Sequence, residues 1–206
     1  MSQTLIKAAF AVSYADEPEP GIIVFQLNPE SINRLILPPQ SNTGHPESGE
    51  VRERISFVLS VDSKLGDDFF IQNEGAVSNG VLSFLSAIEL LVYPVDVIGG
   101  LSARYQSRRL SGMVNFIVNV FRKKPGYPLP LVNLLLGEQR VIPVKIKSVQ
   151  ITEQAFDSKL QPVRASIKIV MDSISSRESK QHPKLRETWK NYLRLKTSLA
   201  GGVRSR

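Results

Sequence analysis

The chain has 206 residues, 42% of them hydrophobic and 22% charged, with a formal net charge of +7. That is enough apolar material for one core with an appendage, and too much for a globally disordered chain. Cysteine is absent, which excludes disulfides, thiolate metal sites and cysteine nucleophiles, and the only histidines are His45 and His182 in Pro-flanked polar segments. No zinc site, other metal site or cofactor is expected from so sparse a ligand set. No apolar run reaches the roughly 18 residues that cross a bilayer, and Met1 to Lys7 lacks the features of a secretory signal, so a protein that stays in the cytoplasm, or leaves it by another route, is expected.

Gly21 to Leu27 is β-branched and ends at Asn28-Pro29, which predicts a strand followed by a turn. Residues 38–50 are rich in Pro, Ser, Asn and Gly and read as a long loop. From Ile55 to Val61 the odd positions are all apolar, the period of a strand with one buried face. Asp62, Asp67 and Asp68 fall in the turn that follows, but their spacing does not fit a calcium loop. Between Val77 and Tyr93 the apolar residues recur at three- and four-residue intervals. This predicts an amphipathic helix capped by Ser78 or Asn79 and stopped by Pro94. Residues 95–130 give no clear pattern. Their basic cluster of Arg104, Arg108 and Arg109, with Tyr105, Phe116 and Phe121 nearby, leaves room for a nucleic-acid contact.

The C-terminal half is more regular. Leu131 to Leu136 is a short apolar run, and Ile142, Val144 and Ile146 then alternate with Pro143, Lys145 and Lys147. The parity shifts before Val149 and Ile151, as a β-bulge within one long strand would shift it. Val163, Ala165, Ile167, Ile169 and Met171 form the cleanest alternation in the chain. The segment Glu153 to Pro162 between these strands suits an extended hairpin loop, and Phe156 is expected to anchor that loop by burial.

The charge is unevenly placed. Residues 177–206 carry nine basic and two acidic side chains, so this tail holds the whole excess of +7 and residues 1–176 are neutral. Leu185, Trp189, Tyr192 and Leu193 form a helical apolar stripe flanked by Arg186, Lys190 and Arg194. The chain therefore divides into a β-rich body, 1–176, and a basic amphipathic helical tail, 177–206, with a disordered end at Gly201-Gly202. Those seven side chains are the candidate partner-binding residues, by the helix-in-groove mode with a basic rim. No catalytic residues are assigned, because phosphate loops, dinucleotide fingerprints and nucleophile elbows are all missing. A non-enzymatic protein is expected.

Three segments resemble the contractile injection system tube-domain family. Phe25 to Ser31, with its Asn28-Pro29-Glu30-Ser31, is similar to the family's F-N-P-E-S turn, and Ile55 to Asp62 to the strand that follows it. Val141 to Ala165 resembles the family's long hairpin, with Ile151-Thr152-Glu153, Ala155-Phe156-Asp157, Leu160, Pro162 and Arg164-Ala165 carrying the match. The resemblance spans roughly residues 20–175. It implies a mainly β, α+β fold, a phage tail-tube-like β-barrel or sandwich with a C-terminal helix. It also implies a structural subunit in a hexameric homo-oligomeric ring, with the inner tube, the spike hub and baseplate wedge proteins as partners and no small-molecule substrate. Such a subunit would be made in the cytoplasm and assembled into a phage-tail-like particle, released or membrane-anchored. Many members carry a LysM module after this domain, and no LysM pattern follows residue 175 here. The alternative from another class is a monomeric binding module whose basic tail docks on nucleic acid or an anionic membrane surface.

Overall fold

The computed structural model describes residues 7–13, 21–39, 50–65, 81–93, 129–181 and 183–204. The expected basic cluster around Arg104, the two histidines, Asp67, Asp68 and the helix cap at Ser78 or Asn79 lie outside these. The strands are β1 (Ala9–Ser13), β2 (Gly21–Val24), β3 (Ile32–Leu37), β4 (Arg52–Asp62), β5 (Leu131–Leu136), β6 (Arg140–Phe156) and β7 (Pro162–Ser173). The helices are α1 (Val81–Glu89), α2 (Ser176–Gln181) and α3 (Pro183–Arg204). All seven strands form one antiparallel sheet in the order β2-β1-β5-β6-β7-β4-β3. The fold is thus mainly β with helices, an α+β arrangement.

Alternation decides which face each strand buries. On β7, Ala165, Ile167, Ile169 and Met171 are all buried, while Arg164 and Lys168 are exposed. On β4 the buried set is Ile55, Phe57, Leu59 and Val61. The long strand β6 keeps an apolar inner face only because its register slips. Ile146 pairs with Met171 and Ser148 with Val170, so Lys147 is the extra residue of a bulge. Beyond it Val149 and Ile151 face inward again, opposite Ile169 and Ile167.

The sheet is strongly curled. Phe10 of β1 and Phe57 of β4 are four strand spacings apart in sheet order, about 19 Å in a flat sheet. Their ring centroids are 6.3 Å apart, with Phe25 edge-on to Phe10 at 4.9 Å. Helix α1 packs on β6 and β7 and adds Val81, Phe84, Leu85 and Ile88 to this core. Among the described strands, β2 and β3 remain open edges, so no ladder closes the sheet into a barrel. A side chain spans the seam instead. Buried Gln26 donates to the carbonyls of Asp62 at 2.8 Å and Leu65 at 2.6 Å, and its oxygen accepts from the Asp62 amide at 2.7 Å.

The tail departs from the sequence expectation at its end. Helix α3 runs through Gly201 and Gly202 to Arg204, where the glycines were expected to mark a disordered end. Glycine lowers helix propensity by about 1 kcal/mol relative to alanine but does not forbid a helix that packing has already started.

Candidate assembly surface

The tail and the body meet at a buried carboxylate. Glu53 occupies an inward position of β4, in phase with Ile55 and Phe57, and is only 3% exposed. A charge on that face has to be matched by donors. Arg34 of β3 donates to Oε1 through Nε at 2.7 Å and also through its terminal nitrogen. From α3, the Tyr192 hydroxyl donates to the carboxylate at 3.0 Å, and Lys196 donates to Oε2 at 2.7 Å. Lys196 also lies 4.2 Å from the Tyr192 ring centroid, a cation–π contact. Burial pushes Glu53 up, but the hydrogen bonds and charges of Lys196 and Arg34 outweigh it and hold the carboxyl below the usual glutamate range. Burial also raises the Tyr192 phenol, which keeps it the neutral donor this site requires.

The start of the tail has its own local logic. Ser175 and Glu178 form a capping box for α2. The Glu178 amide donates to Ser175 Oγ at 3.2 Å, and the Ser175 amide donates to Glu178 Oε2 at 3.0 Å. Lys145 of β6 approaches the same carboxylate at 3.5 Å.

These contacts revise the expected partner-binding set. Leu185 and Tyr192 are buried at 4% and 5% within the chain itself, and Tyr192 belongs to the central core. They are therefore unavailable to a partner while α3 is docked. Trp189 and Lys190 are half-buried. Arg186, Leu193 and Arg194 face outward, with Arg194 engaging Glu187 and Asn191 on its own helix. Sequence periodicity placed Leu185, Trp189 and Tyr192 on the inward face and misplaced Leu193, and it carries no information about which surface covers the stripe. Glu53 and Arg34 escaped sequence reading altogether. The one signal was a charged residue in phase with the apolar positions of a strand.

The opposite end of β6 and β7 carries exposed apolar side chains. From Thr152 to Leu160 the hairpin is exposed. Phe156, expected to be buried, is 52% exposed, because its partner across the ladder is Pro162 and no other described strand pairs with this part of the hairpin. Leu160 is 81% exposed. The loop is nevertheless tightly tied. Asp157 Oδ1 accepts from the amides of Lys159 at 2.8 Å and Gln161 at 2.9 Å, and the Asp157 amide donates to the Gln161 carbonyl at 2.9 Å. Ala155 and Leu160 adopt left-handed backbone angles, φ 51° and 58°. Such a conformation costs an L-residue roughly 1–2 kcal/mol. A strained leucine with almost no intramolecular packing is held there by the turn rather than by its own contacts.

Further apolar exposure lies at the sheet edges, with Ile22 on β2 and Leu35, Ile36 and Leu37 on β3. At the seam, Asp62 accepts from the Lys64 amide and from Arg164, and these contacts hold it below the usual aspartate range. Among the described residues no three acidic or histidine side chains gather as a metal would need, and no helix is long and apolar enough to cross a membrane. No protein-family model matches the chain, and no curated protein matches it.

Proposed function

We propose that this chain is a non-enzymatic structural subunit of a contractile injection system. In this reading, copies form a ring that adapts the inner tube to the spike hub and baseplate. The observation that carries it is the β6–β7 hairpin. It is a strained turn, tied together by Asp157, that displays Phe156 and Leu160 to solvent where a neighbouring copy can cover them. The open edges β2 and β3, with exposed Ile22, Leu35 and Ile36, supply further surfaces for neighbouring copies. The resemblance of residues 141–165 to the tube-domain hairpin falls on this same projection.

The test is assembly. Negative-stain electron microscopy and light scattering of the purified protein should reveal closed rings, six-membered if the resemblance holds. Phe156→Ser with Leu160→Asp should convert rings to monomers with an unchanged circular dichroism spectrum. A protein that stays monomeric at high concentration would count against the ring. If that monomer bound duplex DNA or phosphatidylserine vesicles through Arg186, Lys190 and Arg194, the basic binding-module reading would replace it.

A further inference from the structure

On the outer face of the sheet, one cross-strand row runs Leu35–Arg54–Asp172–Lys145, from edge strand β3 across β4 and β7 to β6. This row floors an open groove of about 960 Å³, walled by Glu50, Val51 and the first turns of α2. One end of the groove is aliphatic, where Leu35 and Val51 are 54% and 55% exposed. The rest is cationic. Six Lys or Arg side chains line it against three acids, an excess of three positive charges.

The cations fall into two groups. Arg54 is held by both oxygens of Asp172 at 2.8 and 3.2 Å, with Lys147 at 3.7 Å from the same carboxylate, and Lys145 pairs with Glu178. These are pre-positioned. The side chains of Arg52, Arg177 and Lys180 form no ion pair among the described residues, although the Arg177 amide donates to Glu50 Oε1 at 2.7 Å, so these three guanidinium and ammonium groups are the groove's less constrained cations. The distance from β3 to β6 is three strand spacings, about 14 Å, the length of four or five extended residues.

We propose that this groove docks a short acidic peptide segment of a partner protein, with an apolar residue at the β3 end and carboxylates toward β6 and α2. Charge complementarity selects an anionic occupant, and the aliphatic end selects one that is anionic along only part of its length. A nucleic acid fits less well. No aromatic side chain lines the groove to stack a base, and Asp172, Glu50 and Glu178 interrupt the cations where an evenly charged phosphate backbone would pass. A peptide can space its carboxylates onto the cations and leave uncharged backbone opposite those acids. This inference stands on the groove alone and does not depend on ring formation.

The probe is a fluorescein-labelled peptide, acetyl-Leu-Leu-Asp-Glu-Asp-Glu amide, with Leu-Leu-Lys-Arg-Lys-Arg and a ten-nucleotide oligothymidylate as comparisons. The acidic peptide should shift the backbone amide resonances of Leu35, Val51, Arg52 and Lys147, and should bind more weakly as salt is raised. Arg52→Glu with Lys180→Glu, both at exposed positions, should weaken it at least tenfold. Leu35→Glu should weaken it independently at the aliphatic end, and it serves alone if the double variant does not fold. No shift at these residues up to millimolar peptide would overturn the proposal, as would unchanged affinity in the folded variants. Tighter binding of the oligothymidylate would also overturn it, in favour of nucleic acid.

Discussion

Glu53 is the residue on which the packing of the tail turns. It accepts from Arg34, Tyr192 and Lys196, so β3 and α3 converge on one buried carboxylate of β4. Glu53→Gln keeps the shape but leaves Arg34 and Lys196 facing a neutral amide. A fully buried broken pair costs about 3–5 kcal/mol; here about 2 kcal/mol is expected, because both cations reach solvent. Thermal melts should register that loss, and Tyr192→Phe should lose about 1–2 kcal/mol through the missing hydroxyl. Acid should act on the same point. The folded pKa of Glu53 lies below the ordinary value of 4.5, so its stabilisation is complete above that pH and lost as pH falls through the lower folded value. The melting temperature should therefore hold from neutral pH to about 5 and drop below about 4, less steeply in Glu53→Gln. Leu160 behaves oppositely. Glycine tolerates its positive φ, so Leu160→Gly should raise stability by up to about 1 kcal/mol while weakening assembly. A loss of stability instead would mean that the leucine packs within its own chain.

At the scale of elements, strand phase is the property most open to test. Ile167 is fully buried, between Leu59 of β4 and Ile151 of β6. Ile167→Lys puts a charge into that layer and should cost on the order of 4 kcal/mol or more, seen as insoluble or unfolded protein. Its neighbour Lys168 lies on the outer face beside Val58 and Gln150, and Lys168→Ile should stay within about 0.5 kcal/mol of the parent. Equal tolerance of the two changes would contradict the assigned register. The bulge at Lys147 explains how one 17-residue strand, β6, serves two parities. The parity change was visible in the sequence because a bulge moves every later side chain to the other face. Two strands were not visible there. In β1 all five residues are buried, and in β3 five of six are exposed, so neither shows the period of two on which strand reading depends.

At the scale of the whole molecule, the tail is packed into the body through Tyr192, and Leu185 is buried with it. Burying each contributes about 1.5–3 kcal/mol, a large share of the roughly 5–15 kcal/mol of a typical domain. Deleting residues 177–206 should therefore lower the melting temperature by about 10–20 °C, even though every strand is retained. An unchanged melting curve would mean that α3 contributes nothing to the body.

The mainly β class, the long hairpin, its bulge, the inward face of β7 and the amphipathic character of the tail were all legible in the residues alone. These follow from local periodicity, which a single chain displays. The curl that brings Phe10 to Phe57, the Gln26 bridge across the seam, the gathering of Arg34 and the tail on Glu53, and the exposure of Phe156 emerge only in three dimensions. Each of these joins, or fails to join, residues far apart in the chain. Such pairings depend on sheet order and curvature, and periodicity states which face is apolar without stating what comes to cover it.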